Sequence, residues 1–76
     1  MEEIVQSIHN IIASHTEQHV NSDSHMFLDL EIDSMNAIKI ATELEGEFNI
    51  EITGFEMAHW DRVHDVVNCV MPKIKD

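Results

Sequence analysis

Asp33 and Ser34 are the residues of this 76-residue chain best placed to do chemistry. They stand where a loop-like stretch gives way to a helix pattern that runs to Phe48 with no Pro and one Gly, Gly46. Ser and Asp are favoured at such a start because their side-chain oxygens accept the unpaired N–H groups of the first turn. Ser34 is therefore expected to cap this helix. A hydroxyl there is exposed, and an anion attached to it meets the positive end of the helix dipole. In isolation a D-S pair is ordinary capping, so the flanking residues must decide whether the serine does more.

Other chemistry finds less support. No G-x-S-x-G surrounds Ser34 and no Gly-rich loop is present to cradle a phosphate, so the chain carries no catalytic motif. Asp29-x-Glu31-x-Asp33 imitates the opening of a calcium loop. Its sixth position is Ser34 where Gly is required, and its twelfth is Ile40 where a bidentate Glu belongs. His15 and His19 have helical spacing, but His15 falls where the first helix pattern stops. With no cysteine pair to complete a zinc set, no metal site is expected. Cys69, the only cysteine, falls beside an apolar helix stripe with no adjacent cation and reads as structural.

The elements that position Asp33 and Ser34 follow from apolar spacing. Ile4, Val5, Ile8, Ile11 and Ile12 make one face of a first helix, with Glu2 and Glu3 in its first turn, where negative charge is stabilised. Residues 17–33 form a long connection with a turn-rich Asn21-Ser22-Asp23-Ser24 cluster, and Met26, Phe27, Leu28, Leu30 and Ile32 are expected to pin it to the core. The second helix is expected over 34–48. Ala37, Ile40, Ala41, Leu44 and Phe48 form its core face, while Met35 and Ile38 fall on another side, next to Ser34. Ile50 and Ile52 alternate with polar residues in a short extended link. Thr53-x-x-Glu56 is a capping box, so a short third helix starts near Gly54 with Phe55, Met57, Ala58 and Trp60 as its apolar groups. Asp61 is expected to cap a last helix carrying Val63, Val66, Val67, Val70, Met71 and Ile74, which Pro72 ends or kinks.

Fifteen acids against four bases give a formal charge of −11, which repels phosphate backbones and argues against nucleic-acid binding. It favours basic protein partners. No apolar run approaches a membrane span, and the acidic start M-E-E-I does not read as a secretory signal. A lone cysteine excludes an internal disulfide and fits a reducing compartment, so a cytoplasmic protein is expected.

The flanking pattern is Phe27-x-x-Leu30-x-x-Asp33-Ser34-Met35, then Leu44-Glu45-x-x-Phe48-x-Ile50-x-Ile52, then Val63-x-Asp65. It resembles the signature of the acyl carrier protein family, F-x-x-L-G-x-D-S-L followed by L-E-x-x-F-x-I-x-I and a downstream V-x-D. The resemblance implies an all-α fold, a small antiparallel helical bundle of three main helices plus one short helix, in a single domain over residues 1–76. It implies a stand-alone, monomeric carrier that holds an acyl or related carboxyl group as a thioester on a 4′-phosphopantetheine arm. Ser34, preceded by Asp33, is where that arm maps. A phosphopantetheinyl transferase would attach it from coenzyme A with magnesium, and the carrier would perform no chemistry itself. Met35, Ile38, Lys39, Glu43 and Glu47 map to the face that meets basic patches on acyl-transferring enzymes of fatty-acid, polyketide or related biosynthesis. Lys39 interrupts the acids of that face. Ile40, Leu44 and Trp60 map to the space where an acyl chain folds back, and Trp60 takes the place of a smaller aliphatic residue, which implies a short, polar or externally displayed cargo. An aminoacyl or peptidyl carrier, or an acidic helical interaction module that has lost the carrier role, are the alternatives. Asp33 leans toward the acyl type, since peptidyl carriers often have His there.

Two positions depart from the signature. Met35 for Leu keeps volume and apolar character. Glu31 replaces the motif glycine, and a positive φ costs a non-Gly residue about 1–2 kcal/mol. The loop before Ser34 is therefore expected to differ in shape from the family's.

Overall fold

A computed structural model describes residues 2–74 as four helices with no strand among them. They are α1 (Glu2–Ala13), α2 (Ser34–Phe48), α3 (Gly54–Met57) and α4 (Val63–Val70), the last running into a 3-10 turn over Met71–Lys73. α1 packs against α2 and α4, and α3 packs against α2. The expected bundle of three main helices and one short helix is the fold.

Each main helix buries the centre of the stripe that its spacing defines, with Ile4, Ile11 and Val67 half-buried at its edges. α1 contributes Ile8 and Ile12, both fully buried, and α4 contributes Val63, Val66 and Val70, also fully buried. Ile40 and Leu44 of α2 lie between them, flanked by Ala37 and Ala41. Phe48 is only half-buried, against the rim of this core. α2 ends at Asn49, whose left-handed backbone (φ 56°, ψ 52°) suits Asn and turns its N–H back onto the Glu45 carbonyl. The Glu45 side chain then accepts the Ile52 N–H at 2.8 Å, which holds the extended link on the end of the helix.

The long connection is ordered by bonds to the entrance of α4. Asn21 Oδ1 accepts the Asp23 N–H at 2.9 Å, which closes the first turn. Met26 N–H donates to the Asp61 carbonyl at 2.8 Å, and the Val63 and His64 N–H groups donate to the Ser24 and Ser22 carbonyls at 2.9 and 3.0 Å. Arg62 Nη1 adds a bond to the Asp23 carbonyl at 2.7 Å. Met26, Leu30 and Ile32 pin the segment, at 1–2% exposure. Phe27 and Leu28, expected to pin it too, point outward at 43% and 79%. A one-turn segment has only one inward face, and Met26 and Leu30, four residues apart, occupy it.

Two more expectations need correction at α3 and α4. Phe55 is 77% exposed, so only Met57 of α3 meets the core, with Trp60 filling it from just beyond the helix. Asp61 is not the cap of α4. Arg62 holds the cap position, and the Asp65 carboxylate accepts its N–H at 2.8 Å while Asp61 offers its carbonyl to Met26. Pro72 acts as expected, since α4 tightens into the 3-10 turn around it.

The Thr53–Glu56 capping box is present in both directions, with bonds of 3.1 and 2.9 Å. Glu56 Oε2 also meets Lys73 Nζ at 2.7 Å, tying α3 to the 3-10 turn that follows α4. The Lys73 bond first, and the Thr53 N–H second, lower the Glu56 pKa from 4.5 to about 2. A carboxyl depressed in the folded state stabilises the fold above its unfolded pKa, and that contribution disappears as pH falls through the folded value. The melting-temperature gap between wild type and Glu56→Gln is therefore expected to be full above pH 4.5 and to close toward pH 2. A gap that stays constant over that window would contradict the pairing.

Candidate functional site

Asp33 and Ser34 divide their duties differently from expectation. Asp33 is the cap of α2, with extended backbone (φ −83°, ψ 177°) and Oδ1 accepting the Asn36 N–H at 2.8 Å. Its carbonyl accepts the Ala37 N–H at 2.9 Å. Ser34 is the first helical residue, exposed, and among the described residues its hydroxyl makes no hydrogen bond. The hydroxyl thus stands at the helix N-terminus with no structural role to give up. The Ser34 and Met35 N–H groups, unbonded among the described residues, lie at this helix start, a favourable setting for an attached phosphodiester.

Glu31 adopts φ 57°, so the backbone takes the left-handed turn in spite of its side chain. The strain is held from outside, since Thr16 Oγ1 donates to the Leu30 carbonyl at 2.7 Å and Ile32 is buried.

Along α2, Met35, Lys39, Glu43 and Glu47 stand four residues apart and form one row, with Ile38 beside it. All five are exposed, Met35 at 67% and Ile38 at 55%. Glu43 has a partner that sequence did not disclose: His15 Nε2 lies 2.5 Å from its Oε2 and links the end of α1 to α2. The two are 28 residues apart, and no local pattern signals such a pair.

Ile40 and Leu44 are fully buried, and Trp60 is 2% exposed. The Trp60 Nε1 is buried without an acceptor among the described residues, a desolvation cost of about 1–3 kcal/mol, so packing alone holds the ring. The cavity that touches Trp60, about 370 Å³, opens between α3 and α4 beside Phe55, His59 and Cys69 and is not lined by Ile40 or Leu44. Cys69 has a cation near it after all, because its sulfur lies 4.0 Å from the Glu56 oxygen that Lys73 pairs. That charge is already engaged by the carboxylate, so Cys69 keeps its structural reading. Among the described residues no cluster of His, Cys, Asp and Glu is arranged to hold a metal ion.

Residues 3–70 match the family model for a phosphopantetheine attachment site. The chain belongs to the acyl carrier protein family. It is 28% identical over 78 residues to the acyl carrier protein of Cyanidium caldarium, covering 99% of this chain and 91% of that one. An acyl carrier protein of Thermotoga maritima shares its fold with a TM-score of 0.77 at 21% identity, over 95% of this chain and 87% of the other. A protein of Mycobacterium tuberculosis assigned as an acyl carrier protein superposes with a TM-score of 0.71 at 30% identity, over 91% and 92% of the two chains. The family's cofactor, covalent 4′-phosphopantetheine, fits the chemistry found here, a free exposed hydroxyl at a capped helix start.

The division of labour between Asp33 and Ser34 has a measurable consequence. Asp33→Ala removes a cap and is expected to cost about 1 kcal/mol. Ser34→Ala removes no bond and is expected to change stability by no more than about 0.5 kcal/mol. Urea unfolding of both variants checks this, and equal losses would contradict it.

Proposed function

We propose that Ser34 is the residue that receives the phosphopantetheine arm, and that this acyl carrier presents an acyl or related carboxyl group to partner enzymes of fatty-acid, polyketide or related biosynthesis. The observation that carries this reading is the free hydroxyl of Ser34 at the start of a helix that Asp33 already caps. When bound, the arm supplies a terminal thiol that holds cargo as a thioester. Everything else is done by the chain's own side chains. Asp33 keeps α2 folded up to its first residue, so the attachment point is rigid. The tether then raises the effective concentration of cargo at each docked enzyme. The chain performs no chemistry itself, and works as a monomer in the cytoplasm.

Met35 and Ile38 supply exposed apolar contact beside Ser34, and Glu43 and Glu47 supply charge for a basic partner. Lys39, in the same row, selects against partners whose basic patch reaches that point. A phosphopantetheinyl transferase is the first such partner. Treated with transferase and coenzyme A, the wild type is expected to gain the mass of one arm, and Ser34→Ala none. Modification that persists in the alanine variant would refute the assignment.

Cargo is proposed to be short, polar or displayed outside the bundle. Ile40, Leu44 and Trp60 are 0–2% exposed, and the cavity at Trp60 opens on the α3–α4 side and is not lined by Ile40 or Leu44. Burying eight methylenes would contribute up to about 6 kcal/mol if space existed, whereas overfilling a packed core costs about 1–3 kcal/mol. With a series of acyl chains loaded, melting temperature and Trp60 fluorescence are expected to stay flat in the wild type. A stability that climbs with chain length would sink this reading, and a length dependence appearing only in Trp60→Ala would support it.

A further inference from the structure

The segment that leads into Ser34 contains a helical turn closed by a histidine ring. The Asp29 and Leu30 N–H groups both donate to the His25 carbonyl at 3.0 Å. The first free N–H groups of the turn, those of Phe27 and Leu28, donate to His25 Nδ1, each at 3.2 Å. Asp29 Oδ2 accepts the His25 N–H at 2.7 Å, which makes the arrangement reciprocal. This is similar to a capping box, with a histidine where Ser or Thr usually stands and the returning carboxylate four residues on instead of three. The turn fixes which side chains face in and which face out. Met26 and Leu30 enter the core, while Leu28 is left 79% exposed a few residues before Ser34.

Two backbone donors on one ring nitrogen dictate its state. Nδ1 must offer a lone pair, so the ring is neutral with its proton on Nε2. An imidazolium has a donor at each nitrogen and no acceptor. Proton uptake therefore removes both bonds and aims an N–H at two others. A cap made of Ser, Thr or Asn has no such dependence near neutral pH.

We propose that His25 is a positioning residue for the transfer onto Ser34: its neutral ring holds the turn over residues 26–30 in the form that a transferase engages, and protonation releases that turn and slows the transfer. The proposal rests on Ser34 being the attachment point. The groups facing His25 come from two elements. Asp29, of its own turn, accepts the His25 N–H, and Arg62, whose backbone pairs with His25 in an isolated bridge at the entrance to α4, has Asp61 beside it and Asp65 bonded to its N–H. The Phe27 ring lies 6.2 Å away by centroids and carries no charge. None of these supplies a substitute acceptor for the Phe27 and Leu28 N–H groups. The chain has five other histidines, so a bulk pH melt is not specific and the readout must be confined to His25.

The test uses the full chain before arm attachment, one transferase and coenzyme A, with His25→Asn and His25→Ala beside the wild type. Asn keeps a side-chain acceptor suited to a cap and does not titrate. Taking the ratio of kcat/KM between wild type and His25→Asn at each pH cancels the transferase's own titration. The ratio is expected to be about 1 near pH 8 and to fall at least about threefold by pH 5.5. His25→Ala is expected to be slower than His25→Asn throughout. In the wild type alone, imidazole nitrogen spectra are expected to show Nδ1 unprotonated near pH 8, and Phe27 and Leu28 amide exchange to lose protection on acidification, after correction for intrinsic rates. Transfer with a pH-constant ratio, or a proton on Nδ1 near pH 8, overturns this proposal alone. No transfer to the wild type at any pH overturns the Ser34 reading, and this proposal with it.

Discussion

One hydrogen bond sets the terms for the site: Asp33 Oδ1 accepts the Asn36 N–H at 2.8 Å. It starts α2 at Ser34 and satisfies one of the first-turn donors that a helix leaves unpaired. Because Asp33 does this, Ser34 does not have to. A hydroxyl that capped the helix would have to break its own bond before it could react, and the modification would loosen the element that carries it. With the duties separated, the reactive group is exposed while its platform stays folded.

The cap holds only because the chain arrives at Asp33 from a fixed direction. That direction comes from residues far away in sequence. The Asp61 carbonyl receives the Met26 N–H, the Arg62 guanidinium holds the Asp23 carbonyl, and Thr16 holds Leu30 from the other side. Between these anchors the chain passes through the left-handed conformation of Glu31, a place where glycine would sit without strain. The −11 charge bears on the same region, since the acids on the outer row of α2 repel one another while offering a surface to basic partners.

What could be read without coordinates was whatever is local. The bounds of α2, the Thr53–Glu56 box and the break at Pro72 each depend on residues within a few positions of one another, and each is found where the spacing puts it. The exposure of Met35 and Ile38 and the burial of Ile40, Leu44 and Trp60 follow from helical phase and apolar size. Capping was legible at α2 but not its owner. Asp33 and Ser34 are both good caps, and only backbone angles decide which one stands outside the helix. The cap of α4 was misplaced too, since Arg62 takes the cap position and Asp65, inside the helix, accepts its N–H. Phe27 and Leu28 were misread because an aperiodic loop gives no phase by which to tell inward from outward. The His15–Glu43 pair and the stitching of the loop to α4 are long-range facts that no window of sequence contains.

Hydrogen exchange at the Asn36 amide tests the separation of duties most directly. The account predicts that its protection is the same before and after the arm is attached at Ser34, and is lost in Asp33→Ala. Loss of protection on attachment, or full protection retained in Asp33→Ala, would contradict it.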